Sequence, residues 1–170
     1  MCGFTVIIKK TKNKKIDETL KKKILLSQTH RGPDNSKILE KKNIIFFHNR
    51  LSIIDLSQKA SQPMTCKKTG NIIVFNGEIY NFKELKQNYL RNEKFETSSD
   101  TEVILKLYNR FKENIHKYLN GIFSFVIYDN KRNKLFLIRD RFGFKPLIYF
   151  EDKELFVCST ETRSINLVRG

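Results

Sequence analysis

Short runs of β-branched and aromatic residues recur along the chain and read as strands over 4–8, 43–48, 71–75, 122–128, 134–138, 147–150 and 155–158. Several of them, such as Ile72-Ile73-Val74-Phe75, are apolar at every position. Such runs predict sheets covered on both faces, by helices or by another sheet. Past Ser99 the period changes: Ile104, Leu107, Tyr108, Phe111, Ile115 and Leu119 recur three and four residues apart, and predict one long helix opened by a Ser99/Glu102 capping box. A shorter helix is predicted from Asn81, with Phe82, Leu85 and Tyr89 on one face, and another over 17–28. Polar clusters at 129–133 and 151–153 predict hairpin turns. Strands gather towards both ends of the chain, helices lie between, and no regular βαβ alternation appears, so the predicted class is α+β.

Composition narrows this picture. The 170 residues, 39% hydrophobic with 14 Phe and no Trp, suit one domain over 1–170 that buries roughly 70% of its unfolded surface. No repeat and no Pro/Gly/Ser-rich linker divides it. The formal charge of +15 comes mainly from lysines spread over helix faces and turns, as at Lys9-Lys10, Lys14-Lys15, Lys21-Lys22-Lys23 and Lys41-Lys42. That spread predicts solvated surface. Without an accompanying recognition motif, nucleic acid is not an expected partner. Cys2, Cys66 and Cys158 form an odd set without CxxC spacing, which argues against a disulfide framework or a zinc site and for a reducing, cytoplasmic setting. No apolar run approaches the ~20 residues of a membrane span.

Cys2 is the first candidate for chemistry. Removal of Met1 would leave a thiol and an α-amine on one residue, and an amine with a pKa of roughly 7.7 to 8.0 can take the thiol proton. A second-position cysteine is otherwise incidental. Asn76-Gly77-Glu78 follows an apolar strand. An Asn-Gly pair there reads as a turn, or as two oxyanion donors, the Asn amide and the Gly N–H. Arg50 reads as a bidentate clamp for a substrate carboxylate, or as a surface residue or the partner of Asp55. Asp100 reads as first-turn charge favoured by the helix dipole or as a ligand for an ammonium. His30, His48 and His116 have no metal-ligand spacing, and no phosphate-binding loop for ATP is present, so neither metal nor nucleotide is expected in this chain.

Taken together, Met1-Cys2-Gly3, His30-Arg31-Gly32-Pro33-Asp34, Arg50 through Asp55 with Gln62-Pro63-Met64, Asn76 through Asn81, Ser99 through Leu105, Leu119 through Asp129 and Arg139 through Leu147 resemble class II glutamine amidotransferase domains. The resemblance is nearest to the N-terminal domain of glutamine-hydrolysing asparagine synthetases and covers nearly the whole chain. It implies a four-layer αββα N-terminal-nucleophile hydrolase fold, two antiparallel sheets packed between helical layers. It also implies roles. Cys2 would attack the glutamine amide, with Asn76 and Gly77 holding the oxyanion. Arg50 would bind the α-carboxylate, and Asp100 with Glu78 the α-ammonium. The backbone of Leu51, Ser52, Ile53 and Ile54 would line the pocket. L-Glutamine is the implied substrate, and a synthetase domain or subunit the implied ammonia acceptor, with ATP and Mg expected only there. A sugar or other carboxylate as final acceptor, or a glutamine-binding regulatory module, are the alternatives. Two positions depart from the family pattern, Val6 and Ala60, where Gly is common.

Overall fold

The computed structural model describes residues 1–11 and 14–169; Gly170, the last residue of the expected domain, lies outside them. The chain divides into two compact units, Met1–Leu51 together with the segment from Pro146 onward, and Ser52–Lys145.

The first unit is a five-stranded antiparallel sheet in the order β2-β3-β1-β9-β8, built from β1 (Gly3–Lys9), β2 (Asn35–Lys41), β3 (Ile44–Arg50), β8 (Ile148–Glu151) and β9 (Leu155–Ser159). Two helices pack on it, α1 (Glu18–Ser27) and α4 (Thr162–Arg169). The side chains alternate across each strand, so Ile7, Ile45, Phe47, Leu155 and Val157 meet Ile24, Ile165 and Val168 of the helices in one core. The other face is also apolar: Phe4, Val6 and Phe46 are fully buried, and β3 is buried over its whole length. α1 begins where Asp17 accepts the N–H of Leu20 at 2.8 Å.

The second unit is a four-stranded antiparallel sheet, β4-β5-β6-β7, comprising β4 (Met64–Thr65), β5 (Ile72–Ile79), β6 (Gly121–Asp129) and β7 (Lys134–Arg139). Ile73, Phe75, Phe125 and Ile127 form its core with Leu85 of α2 (Phe82–Tyr89) and Val103, Ile104 and Leu107 of α3 (Asp100–Phe111). The predicted turn at 129–133 joins β6 to β7 with Asn133 in the left-handed region at φ 52°, and Asp152 closes the turn between β8 and β9 by accepting two backbone N–H groups.

The α+β class and the two antiparallel sheets are as expected, while several local expectations are corrected. The long helix stops at Phe111: Lys112 takes φ 53°, and a 3₁₀ segment (Lys112–Lys117) carries Ile115 back into the core. Only half of the capping box forms. Ser99 Oγ accepts the Glu102 N–H at 3.3 Å, but the Glu102 carboxylate turns to the backbone N–H groups of Glu96 and Thr97. Asn81 precedes α2 without capping it, because its side chain binds Tyr118 O and Asn120 N instead. The Asn76-Gly77 pair is not a turn; β5 runs through it to Ile79. Among the lysines expected in solvent, Lys21 is buried and paired with Glu18 and Glu40.

Candidate active site

In the first unit the sulfur of Cys2 is half-buried just ahead of β1. It lies against the backbone of Leu51, 3.4 Å from the N–H and 3.7 Å from the carbonyl. Arg50 ends β3 and is only 5% exposed, on the same face of the strand as Phe46 and His48. Two glycines let the chain close around this end of the sheet. A Cβ on Gly3 would stand 3.0 Å from Gln28 Cβ, and one on Gly32 only 2.3 Å from the carbonyl of Asn49, so α1 and the turn after it approach β1 and β3 more tightly than side chains permit. Val6 is accommodated in β1 between Phe46 and Cys158 and is fully buried.

A contact that sequence reasoning did not assign is made by Arg31. Its Nε donates to the Cys2 carbonyl at 3.0 Å, and its Nη1 to Glu161 at 2.8 Å. The only sequence signal for it was its place in His30-Arg31-Gly32-Pro33-Asp34.

The second unit gathers Asn76, Gly77, Glu78 and Asp100. Asn76 is fully buried in β5, and among the described residues neither its Nδ2 nor its Oδ1 has a hydrogen-bond partner; the hydroxyl of Ser124, its register partner on β6, is likewise buried and unpartnered there. A buried amide in that state costs about 1–3 kcal/mol. Packing alone gives no return for that cost, whereas a donor held ready for a transient negative charge does. Gly77 adopts φ 153°, and a Cβ there would lie 2.3 Å from the Ile122 carbonyl, so the backbone follows a path closed to other residues. Asp100, the first residue of α3, is 5% exposed and accepts the Ile79 N–H at 3.1 Å, tying the helix start to the end of β5. Burial pushes its carboxyl up to about 6, aided by the nearby charge of Glu78, although backbone N–H groups oppose the shift. Glu78 itself is exposed.

Gln62 supports this unit. Its Oε1 accepts the Phe75 N–H at 2.6 Å and its Nε2 donates to Thr101 at 3.3 Å, so one buried amide ties the residue before Asn76 to the residue after Asp100. Ser52, Ile53 and Ile54 fall in the segment after β3, with Ile53 72% and Ile54 37% exposed. The Asp55 carboxylate binds Ser57 and Ser98. No group of three or more His, Cys, Asp or Glu among the described residues is placed to hold a metal, and none of the described helices is long and apolar enough to cross a membrane.

Residues 1–169 match the glutamine amidotransferase domain family. The chain belongs to that family. Among glutamine amidotransferase relatives, asparagine synthetase [glutamine-hydrolyzing] 3 of Bacillus subtilis is 36% identical over 168 residues, which are 97% of this chain and 27% of that protein. A putative asparagine synthetase [glutamine-hydrolyzing] 2 of Methanocaldococcus jannaschii is 38% identical over 187 residues, 99% of this chain and 36% of the relative. Asparagine synthetase B of Escherichia coli is 39% identical over 146 residues, 84% of this chain and 26% of that protein. The chain thus spans between a quarter and two-fifths of the length of these relatives. The fold is shared with the glutamine phosphoribosylpyrophosphate amidotransferase from B. subtilis, solved with ADP and GMP, at TM-score 0.80 and 21% identity over 99% of this chain and 44% of that one. It is the fold of the N-terminal-nucleophile amidotransferases, as the sequence resemblance implied.

Proposed function

We propose that the chain hydrolyses the side-chain amide of L-glutamine to glutamate and ammonia through a thioester on Cys2, and that the ammonia serves an asparagine synthetase-type reaction. The observation that carries this reading is the buried, unpartnered amide of Asn76 beside Gly77. In the proposed sequence the Cys2 α-amine, freed by removal of Met1, takes the thiol proton, and the thiolate adds to the amide carbon. The oxyanion is held by Asn76 Nδ2 and the Gly77 N–H. As the tetrahedral intermediate collapses, the α-ammonium returns its proton to the leaving nitrogen, and ammonia departs. Water then adds to the thioester with the same amine as base, and glutamate leaves with Cys2 restored.

Binding is assigned to charge. Arg50 takes the α-carboxylate as a two-pronged donor. Asp100, with Glu78 nearby, takes the α-ammonium, while the Leu51–Ile54 backbone lines the pocket. The reading assigns no cofactor to this chain, since the amine supplies the base. ATP and Mg belong to the ammonia-accepting synthetase domain or subunit. A reducing compartment, the cytoplasm, keeps the thiol available.

The test compares glutamate release and trapped acyl-enzyme in the wild type, Cys2→Ala and Asn76→Ala, with and without a synthetase partner. Cys2→Ala is expected to bind glutamine and form neither product. Asn76→Ala is expected to lose roughly 10²- to 10³-fold in kcat with KM nearly unchanged. A wild type that binds glutamine yet yields neither thioester nor glutamate in either condition would make the chain a glutamine-binding module.

A further inference from the structure

The N-terminal nucleophile is held from two sides in the first unit. Its sulfur rests on Leu51, and its carbonyl is gripped by Arg31. The Arg31 side chain crosses directly over Gly3, where a Cβ would stand 3.3 Å from Arg31 Cδ. What holds Arg31 in that path is Glu161, the residue that enters α4 after β9.

We propose that Glu161 is a positioning residue for the glutaminase reaction, acting through Arg31 to fix the Cys2 peptide; the proposal rests on the reading of Cys2 as the nucleophile. Glu161 Oε1 lies 2.8 Å from Arg31 Nη1 and 3.5 Å from His30 Nε2, so one carboxylate is set between two cationic or potentially cationic side chains of the same turn. The Glu161 and Arg31 side chains are 19% and 11% exposed, which places the pair where water screens it weakly. The backbone that carries the carboxylate is itself held in place. The Glu161 N–H donates to Ser159 Oγ at 3.0 Å, Ser159 Oγ also bonds Thr5 Oγ1 and the Phe4 carbonyl, and Thr160 exchanges backbone and side-chain bonds with Phe4. The end of β9 is therefore locked to the start of β1 on either side of the ion pair.

The physical need is specific to a nucleophile that carries its own base. The amine and the thiol sit on one Cα, and an N-terminal residue has no preceding structure to orient it once Met1 is gone. Holding the carbonyl fixes rotation about the Cα–C bond, and holding the sulfur at Leu51 fixes the side chain. With both held, the amine's position relative to the reacting carbon is set. Without Glu161, Arg31 is free to leave the carbonyl, and the pair of reacting groups loses its geometry while the substrate-binding side chains stay as they are.

The experiment uses the full chain beginning at Cys2, verified by intact mass, as wild type, Glu161→Gln, Glu161→Asp, Arg31→Lys and the Glu161→Gln/Arg31→Lys double variant. Glu161→Gln is expected to lower kcat by about 10- to 100-fold with KM for glutamine little changed. Glu161→Asp should recover part of the loss, and the double variant should be no slower than Arg31→Lys alone. A second readout does not depend on turnover: the rate at which 2-cyanobenzothiazole, which condenses with a 1,2-aminothiol, captures the N-terminus. Release of the Cys2 peptide should raise that rate in Glu161→Gln and in Arg31→Lys to a similar extent. A kcat and a capture rate both unchanged in Glu161→Gln, or losses that add in full in the double variant, would overturn the proposal. Altered capture in a chain whose wild type forms no glutamate would overturn the glutaminase reading while showing that Glu161 fixes the Cys2 peptide through Arg31.

Discussion

Asp100 is a single side chain that stands against stability and, in the proposed function, for binding. Its carboxyl is raised from 3.8 to about 6, chiefly by burial, so the folded state holds its proton more tightly than the unfolded chain does. The associated stability is therefore present in full below about pH 3.8 and is lost as pH rises through about 6, a change of roughly 3 kcal/mol. A bound ammonium reverses the balance by favouring the ionised form. Asp100→Asn is thus expected to raise the melting temperature at about pH 8 and to leave it nearly unchanged at about pH 4. Glutamine KM should rise in the wild type as pH falls through about 6, and in Asp100→Asn it should be high, by roughly 10- to 100-fold, at every pH. Melting curves and glutamine titrations across that range check both. At this scale the sequence offered candidates, Cys2, Arg50, Asn76, Gly77 and Asp100, from their motifs. It was silent on burial. Nothing in the letters says that Asn76 is fully enclosed or that Glu78, two residues on, faces solvent.

Among the elements, β5 carries the oxyanion candidates and depends on what pins it. Gln62 satisfies the Phe75 N–H and reaches Thr101 of α3, so it sets the strand against the helix that bears Asp100. Gln62→Ala removes the acceptor of the buried Phe75 N–H and is expected to destabilise the fold by about 1–3 kcal/mol, with a fall in kcat because that peptide immediately precedes Asn76. Chemical denaturation and steady-state kinetics on the same variant measure the two effects. The strongly apolar strands β1, β3, β5 and β6 were legible because their runs exceed any other local preference. Three elements were not: β2, α4 and the two-residue β4. β2 has only Ile38 and Leu39 as large apolar residues, and its pairing with all seven residues of β3 is what makes it a strand. α4 is eight residues long, too short to be stable by propensity, and exists through the packing of Ile165 and Val168 on the sheet. The early stop of α3 has the same origin. Continuing the helix past Phe111 would carry Ile115, fully buried in the 3₁₀ segment, along a different path from the one that seats it in the core.

The whole molecule carries a formal charge of +15, and many of its 18 acidic residues are already engaged, in pairs such as Lys10–Glu151, Lys67–Glu96, Arg31–Glu161 and Arg132–Glu113. The remaining cationic excess repels itself, and added salt shortens the range of that repulsion to about 10 Å at 0.1 M. The melting temperature is expected to rise from low to moderate salt, as followed by differential scanning calorimetry; a fall would show that the surface ion pairs outweigh the repulsion. For the protein as a whole, sequence alone determined the class and the family resemblance and named the candidate site residues, because periodicity and ordered motifs are properties of the linear chain. Tertiary structure decided the rest. That Arg31 grips the Cys2 carbonyl, that Glu161, 130 residues further on, holds Arg31, and that Gln62 ties β5 to α3 are contacts between residues far apart in sequence. They exist only after strand pairing and helix packing have brought those segments together, and no local preference of the residues encodes them.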